Sequence, residues 1–241
     1  SMTPEIQKIK EWIAESDNIV FFGGAGVSTE SGLADFRSRD GIYSRKYDFP
    51  YPPEKMLSHS FFMSNPDEFY DFHRKVMINE NVRPNRAHIR LAELEKEGKL
   101  KAVITQNIDN LHQMAGSLNV LELHGSCYRN YCIECRKAYP ISKITRTDGV
   151  PRCDCGGMIR PDVVLYEEAL DGRVLSEAAA AIATCRMLIV GGTSLSVYPA
   201  AGLINYYRGN RLVLINNSPT PYDDRADLLI TEKIGEVFAQ V

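Results

Sequence analysis

Apolar residues recur along this chain in two rhythms. Ile6, Ile9, Trp12 and Ile13 fall three and four apart, the stripe of an amphipathic helix, and Thr3-Pro4 ahead of them supplies an N-cap hydroxyl and a first-turn proline. Next, Ile19-Val20-Phe21-Phe22 is an unbroken apolar run that ends in glycine. Consecutive buried-type residues without alternation predict a strand covered on both faces, as in a parallel sheet. The run returns at Ala102-Val103-Ile104-Thr105, behind a helix that stops near Gly98. It returns again at Met187-Leu188-Ile189-Val190, behind an alanine-rich helix around 175–183, and at Leu212-Val213-Leu214-Ile215, behind a helix around 200–207. Residues 120–123 predict a further strand. Helices alternating with such strands define an α/β fold built on a Rossmann-like, doubly wound parallel sheet. Two stretches break the alternation. Residues 40–84 carry aromatics, prolines and two helical patterns, notably over 66–79, and predict a helical insertion or a lid. Residues 126–162 carry a cysteine cluster and little helical period, and predict a second one.

Composition narrows the reading. The 241 residues suffice for one large domain with a small insertion, and no internal repeat or low-complexity tract divides them. Lysine plus arginine number 28 against 31 aspartates plus glutamates, a formal net charge of −3. That balance argues against a surface built for a polyanion, so no direct nucleic-acid binding is expected. No apolar run reaches the length of a membrane span, and no basic segment followed by an apolar one opens the chain as a signal peptide would. The expected compartment is the cytoplasm, where thiols stay reduced, so the six cysteines suggest metal before disulfides.

Several constellations carry chemistry. Cys132-x-x-Cys135 is followed, after seventeen residues, by Cys153-x-Cys155. Two close cysteine pairs on short turns suit a closed, four-thiolate structural zinc site, with Gly156-Gly157 fitting a zinc ribbon. The second pair has one intervening residue instead of the usual two. Cys127 and Cys185 are left over, the latter as a small core residue at the end of a helix. Directly after the first strand comes Gly23-Gly24-Ala25-Gly26-Val27-Ser28-Thr29-Glu30-Ser31-Gly32. Such glycines let a backbone approach a pyrophosphate, and a following helix N-terminus offers N–H groups to the anion. The match to the dinucleotide fingerprint is partial, because Thr29 stands where its third glycine belongs; a tight strand-to-helix turn is the plainer alternative. Gln106-Asn107-Ile108-Asp109-Asn110 follows another strand. Its amides and carboxylate can fix ribose hydroxyls and an amide-bearing ring, or merely cap the next helix. Gly191-Gly192-Thr193-Ser194 forms a second glycine turn, and Asn216-Asn217 follows the last long strand as a candidate for a second ribose. Among the five histidines, His124, at a strand end on the same sheet edge, is the candidate general base. His59, His73, His88 and His112 fall on helical segments, where a structural role is expected.

Taken in order, these segments resemble the sirtuin family of NAD-dependent protein deacylases, in its bacterial form with a single catalytic core. The match is carried by Gly24-Ala25-Gly26-Val27-Ser28, Ser31-Gly32, Asp35-Phe36-Arg37, Thr105-Gln106-Asn107-Ile108-Asp109, His124-Gly125, the four cysteines, Arg160-Pro161-x-Val163-Val164, and Gly192-Thr193-Ser194-Leu195 with Pro199-Ala200-Ala201. The resemblance implies a Rossmann-like NAD-binding domain over about 3–39, 85–125 and 163–241. It also implies a small domain from the two insertions, 40–84 helical and 126–162 zinc-binding, with NAD and an acyl-lysine protein or peptide meeting between the domains. Ala25, Thr29, Phe36 and Arg37 would then lie along the cofactor loop, with Gly24 and Gly26 at its turn. Gln106, Asn107, Ile108 and Asp109 would surround the nicotinamide ribose and carboxamide, with Asn107, Asp109 and His124 catalytic. Gly192, Thr193, Ser194 and Asn216 would hold the phosphates and adenosine half, with Lys233-Ile234 near adenine. Val163 and Val164 would pair by backbone with the substrate, next to Tyr166. The implied activity is deacetylation of protein lysine by transfer of the acyl group to ADP-ribose with release of nicotinamide; alternatives are mono-ADP-ribosyl transfer to protein and a non-catalytic, NAD-sensing zinc module. The chain departs from the family pattern at Ala34, usually proline, and at Glu167, usually glycine. Where desuccinylating members carry Tyr-x-x-Arg it has Tyr70-Asp71-Phe72-His73, with Arg74 one place later. A neutral acyl group is therefore expected.

Overall fold

In the computed structural model, residues 2–33 and 49–241 are described. The opening helix runs Pro4–Glu15, and its cap is the expected one, with Ile6 N donating to Thr3 Oγ1 at 3.2 Å. The apolar runs become β1 (Ile19–Gly23), β2 (Leu100–Thr105), β3 (Val120–Glu122), β7 (Met187–Gly191) and β8 (Leu212–Ile215). With β9 (Leu228–Ile230), a short strand the patterning did not single out, they form a six-stranded parallel sheet in the order β3-β2-β1-β7-β8-β9. This is the Rossmann-like, doubly wound order, with β1 beside the point where the connections reverse.

The unbroken apolar runs are explained by helices on both faces. Ile19 and Phe21 of β1 face a core with Ile6 and Ile9 of the first helix, Leu91 of the helix Arg86–Lys96 and Phe238 of the helix Ile234–Phe238. Val20 and Phe22 point the other way, against Ala178 and Ile182 of the helix Gly172–Thr184 and Leu203 and Ile204 beyond β7. Side chains of successive strand residues alternate between faces, so both sets must be apolar. Phe21 is fully buried, and its truncation to alanine would cost about 3–5 kcal/mol. The segment expected to be an α-helix around 200–207 is instead a 3₁₀ helix, Ala200–Tyr206, led in by Pro199 and containing Gly202. Glycine is a poor interior α-helix residue, and the tighter turn accommodates it.

The insertions build a second layer. Gly125–Cys132 (β4), Ala138–Pro140 (β5) and Ile159–Val163 (β6) form an antiparallel sheet in the order β5-β4-β6. Short helices Pro53–Met56, His59–Ser64 and Pro66–Phe72 pack on it, the last running on as a π-type turn over His73–Met77. One apolar cluster holds Phe62, Phe69 and Tyr70 of the helices together with Ile144, Ile159 and Val163 of the cysteine-bearing segment. The Tyr70 hydroxyl donates to Ile159 O, and Arg74 donates to Ile144 O at 2.9 Å and Gly149 O at 2.5 Å. Arg74 thus ties the two segments together. Among the described residues, no helix is long and apolar enough to cross a membrane.

Candidate active site

Parallel registry sets the site. Glu122 pairs with Thr105, Thr105 with Gly23, Gly23 with Gly191, and Gly191 with Ile215, so these strands end at one level. The loops that leave this row carry the sequence candidates. The first glycine loop makes two 3₁₀ turns, Ala25–Val27 and Thr29–Ser31. Its amides are partly committed: Gly26 N donates to Gly192 O at 2.7 Å, Val27 N to Gly24 O at 3.0 Å and Ser28 N to Ala25 O at 3.0 Å. The two glycine turns touch so closely that a Cβ on Gly26 would sit 2.7 Å from Gly192 Cα. A Cβ on Gly24 would sit 2.6 Å from Gln106 Oε1. Gly24 and Gly26 are needed here for close approach, and Gly192 also for its left-handed φ of +62°.

Gln106 binds three loops together. Its N–H donates to Gly23 O at 3.0 Å, its Oε1 accepts from Thr193 Oγ1 at 3.0 Å, and its carbonyl faces His124 Nδ1 at 2.9 Å. A carbonyl only accepts, so His124 Nδ1 carries the proton, and in the neutral ring Nε2 holds the lone pair. His124 lies in the turn between β3 and β4, two residues past the strand end it was expected to occupy.

Ser28 is the second hub. Its Oγ donates to Asp109 Oδ2 at 2.6 Å and accepts from Asn107 Nδ2 at 3.3 Å; Asn107 Nδ2 also donates to Gly24 O at 2.9 Å. Asn85 N donates to His88 Nδ1 at 3.1 Å, which leaves the proton on His88 Nε2, 3.4 Å from the same Ser28 oxygen. Burial lowers the His88 pKa to about 4, so this ring is neutral at pH 7. Burial raises the Asp109 carboxyl above its ordinary range, and hydrogen bonds from Ser28 and from Leu111 N, at 3.0 Å, oppose that rise. Asp109 thus also accepts from the first amide of the helix Leu111–Met114, whose N-cap position, Asn110, makes no side-chain cap bond of its own.

A cavity of about 400 Å³ opens over the strand ends. Of the predicted residues, Ala25, Gln106, Asn107, Ile108, Asp109 and His124 line it. So do Val163, Val164 and Tyr166 on one wall and Gly192, Thr193 and Ser194 on another. Val164 N is already given to His124 O at 2.9 Å, and Val163 O to Arg160 Nη2 at 2.9 Å. Gly24 and Gly26 lie behind the lining, and Thr29 is exposed with its hydroxyl on Gly26 O at 3.1 Å. Asn216 braces the cavity from outside, donating to Thr193 O at 2.8 Å, while Asn217 is exposed. Ile234 is a core residue against the sheet and does not line the cavity. Phe36 and Arg37, with Ala34, lie outside the described residues. Sequence reasoning missed Ser28 as a site residue and the apolar wall of Leu57, Val76, Met77 and Leu165; Ser28 lay inside a recognised motif, whereas plain aliphatic residues in an insertion carry no chemical signal. Tyr70, His73 and Arg74 do not reach the cavity, and no lysine or arginine lines it among the described residues.

The four cysteines converge away from this cavity. Their sulfurs lie within 4.8 Å of one another, with Cys132 to Cys155 and Cys135 to Cys153 both at 3.5 Å. Tetrahedral bonds of about 2.3 Å place thiolates roughly 3.8 Å apart, so the set fits zinc. Glu134 N and Cys135 N point at Cys132 Sγ from 3.4 and 3.5 Å, and Tyr139 Oη donates to Cys153 Sγ at 3.0 Å. A Cβ on Gly157 would stand 2.5 Å from Cys132 Sγ, so the turn is shaped around the sulfur. All four ligands are thiols, which leaves no open position for chemistry. Cys127 is buried in the neighbouring core and is not part of the cluster.

A doubly wound sheet whose strand-end loops converge on a cavity, walled on one side by Leu57, Val76 and Met77 of the helical insertion, defines an α/β protein with its ligand site at the strand ends. Comparison with known proteins gives the family: a model of the Sir2 family matches residues 24–199. The chain belongs to the Sir2 family. It is 54% identical over 239 residues to an NAD-dependent protein deacetylase of Clostridium acetobutylicum, covering 98% of each chain. It is 57% identical over 242 residues to one of Clostridium perfringens, covering 100% of this chain and 99% of that one. A solved Sir2–p53 peptide–NAD+ complex superposes with a TM-score of 0.86 at 39% identity, covering 100% of this chain and 97% of that one.

Proposed function

We propose that this protein is an NAD-dependent protein-lysine deacetylase acting in the cytoplasm, with NAD as co-substrate and one structural zinc. The observation that carries the reading is the convergence, in one cavity, of the Gln106–Asp109 amides and carboxylate, the two glycine turns and a histidine whose Nε2 is set up to accept a proton. The relatives' names and the NAD-bearing neighbour support it. NAD supplies a sugar carbon that becomes electrophilic as nicotinamide departs, which the weakly nucleophilic acyl oxygen requires. Asn107 and Asp109 orient that sugar and the leaving amide, held in place by Ser28. His124 Nε2 takes the proton of a ribose hydroxyl, and the Nδ1 contact to Gln106 O fixes the ring for that step. Ala25, Thr29, Phe36 and Arg37 serve the cofactor loop, and Gly192, Thr193, Ser194 and Asn216 the phosphate and adenosine side, with Asn217 at its margin. Val163, Val164 and Tyr166, which line the cavity where the edge strand β6 runs on, are assigned to the substrate peptide; because Val164 N, Val163 O and both backbone groups of Tyr166 are already bonded within the chain, an added peptide strand would pair through the backbone groups that remain. On this reading the NAD-binding part comprises about 3–39, 85–125 and 163–241 and the small part 40–84 and 126–162.

The test is incubation with NAD and an acetyl-lysine peptide, scoring free lysine, nicotinamide and acetylated ADP-ribose. His124→Ala should keep NAD binding and cut deacetylation by about 10²–10⁴-fold, the usual worth of a positioned base. Nicotinamide exchange, which precedes that proton transfer, should suffer less. Wild-type rates for both reactions in His124→Ala would refute the assignment.

A further inference from the structure

Glu167 lines the same cavity as His124 and Tyr166, but none of the chemistry above uses it. Its backbone is left-handed, at φ +80°. A residue with a Cβ is strained there where glycine would not be, so the side chain is kept against a local penalty. The carboxylate is also held: Oε1 accepts from Ser60 N at 2.7 Å and Oε2 from Ser60 Oγ at 2.9 Å. These contacts run from the cleft wall to the helix His59–Ser64, beside the bonds Tyr166 N to Leu57 O at 3.0 Å and His59 N to Tyr166 O at 2.9 Å. The neighbouring Glu168 is paired with Arg160 at 2.7 Å and faces His59 Nδ1 at 2.9 Å. Glu167 forms no ion pair among the described residues, and no lysine or arginine among them lines the cavity. The two hydrogen bonds from Ser60 hold its carboxyl below the ordinary carboxylate range, so it stays charged. Two lone-pair directions remain open on a fixed, exposed anion at the rim where the acyl-lysine peptide would enter.

We infer that Glu167 is a specificity-determining residue, selecting acyl-lysine sequences in which a lysine or arginine flanks the modified residue and rejecting those with an acidic flank. This rests on the deacetylase reading proposed above. The test uses the full-length protein with NAD and acetyl-lysine peptides carrying arginine, alanine or glutamate at each of the two positions on either side of the acetyl-lysine. At one or more positions kcat/KM should favour arginine over glutamate by about 5- to 20-fold, since an attraction and a repulsion are compared and each is worth up to about fivefold at an exposed site. The preference should collapse at high salt, which screens exposed charges. Glu167→Gln can keep an acceptor for Ser60 N while losing the charge. In it the ratio should fall to about twofold or less, with the alanine peptide as internal reference. If arginine and glutamate peptides are turned over alike by the wild type, or if the preference survives in Glu167→Gln, the inference is overturned. If Glu167→Gln does not fold, a wild-type preference that is insensitive to salt overturns it equally. Failure to deacetylate any of the peptides would instead overturn the underlying reading.

Discussion

Lowering the pH from 7.5 to 5 should unfold this protein far more readily than its acidic residues alone would predict. His73, His88 and His112 are buried to 1% exposure or less. Burial lowers their pKa values from an ordinary 6.5 to about 3, about 4 and about 3. Arg74 adds to the effect at His73, and His88 adds to it at His112. Neither ring nitrogen of His112 has a hydrogen-bond partner among the described residues. A histidine whose pKa is depressed by folding takes up its proton first in the unfolded chain. Stability is therefore unaffected above about pH 6.5, falls as pH drops below it, and goes on falling until the folded-state values are reached. At pH 5 each such histidine favours the unfolded state by about 2 kcal/mol, together about 6 kcal/mol, against a total stability of about 5–15 kcal/mol. For a chain of this size the midpoint of thermal unfolding should fall by roughly 12–24 °C between pH 7.5 and 5. Glu168, held at about 2 chiefly against its desolvation by Arg160, contributes in the same direction only below its ordinary 4.5, outside this window. The assay is thermal unfolding followed by circular dichroism across that range, in wild type, His112→Leu and His73→Phe. Each variant should remove about a third of the drop, a comparison that also separates the histidines from any acid loss of zinc. A flat midpoint in the wild type, or an unchanged slope in both variants, would refute the reasoning.

Metal analysis of the purified protein should find about one zinc per chain, and Cys132→Ala should lower the unfolding midpoint before it alters any single catalytic step; a folded, fully active, metal-free protein would sink this. Gly26→Ala forces a methyl against the Gly192 backbone, 2.7 Å from its Cα, and overpacking of that kind costs about 1–3 kcal/mol; NAD titration calorimetry should show weakened binding, and wild-type affinity would contradict the contact. Acetyl-lysine should be turned over much faster than succinyl-lysine, because Arg74 is spent on Ile144 O and Gly149 O; comparable kcat/KM for the two peptides would mean that some other cation serves as the clamp.

The sheet was legible because it is parallel. Ile19–Gly23 and Met187–Gly191 are buried along their whole length, so their sequences are apolar without interruption, and the glycine at each end marks where a ligand loop begins. The short strand Leu228–Ile230 has one exposed and one half-buried residue and no such signature. The site was legible at its polar positions, since amides, glycines and histidine at strand ends carry chemical meaning. It was not legible where a side chain acts by shape or by a long-range partner. Ile234 follows a plausible ligand-side turn but serves the core. The bonds from Asn85 to His88 and on to Ser28 join residues up to sixty positions apart and cannot be read from spacing.

The apolar cluster shared by the two insertions has a consequence for how this architecture can be altered. Phe62, Phe69 and Tyr70 come from one excursion of the chain, and Cys132, Ile144 and Ile159 from another, yet they fill a single core. Neither excursion has a complete interior of its own. A chimera that exchanges one of them for that of a distant relative would bring half of a jigsaw to the wrong half, however well its own helices or cysteines matched. The two are heritable as a pair, and recombination between their coding segments should be selected against, although the chain separates them by two helices and two strands of the larger sheet.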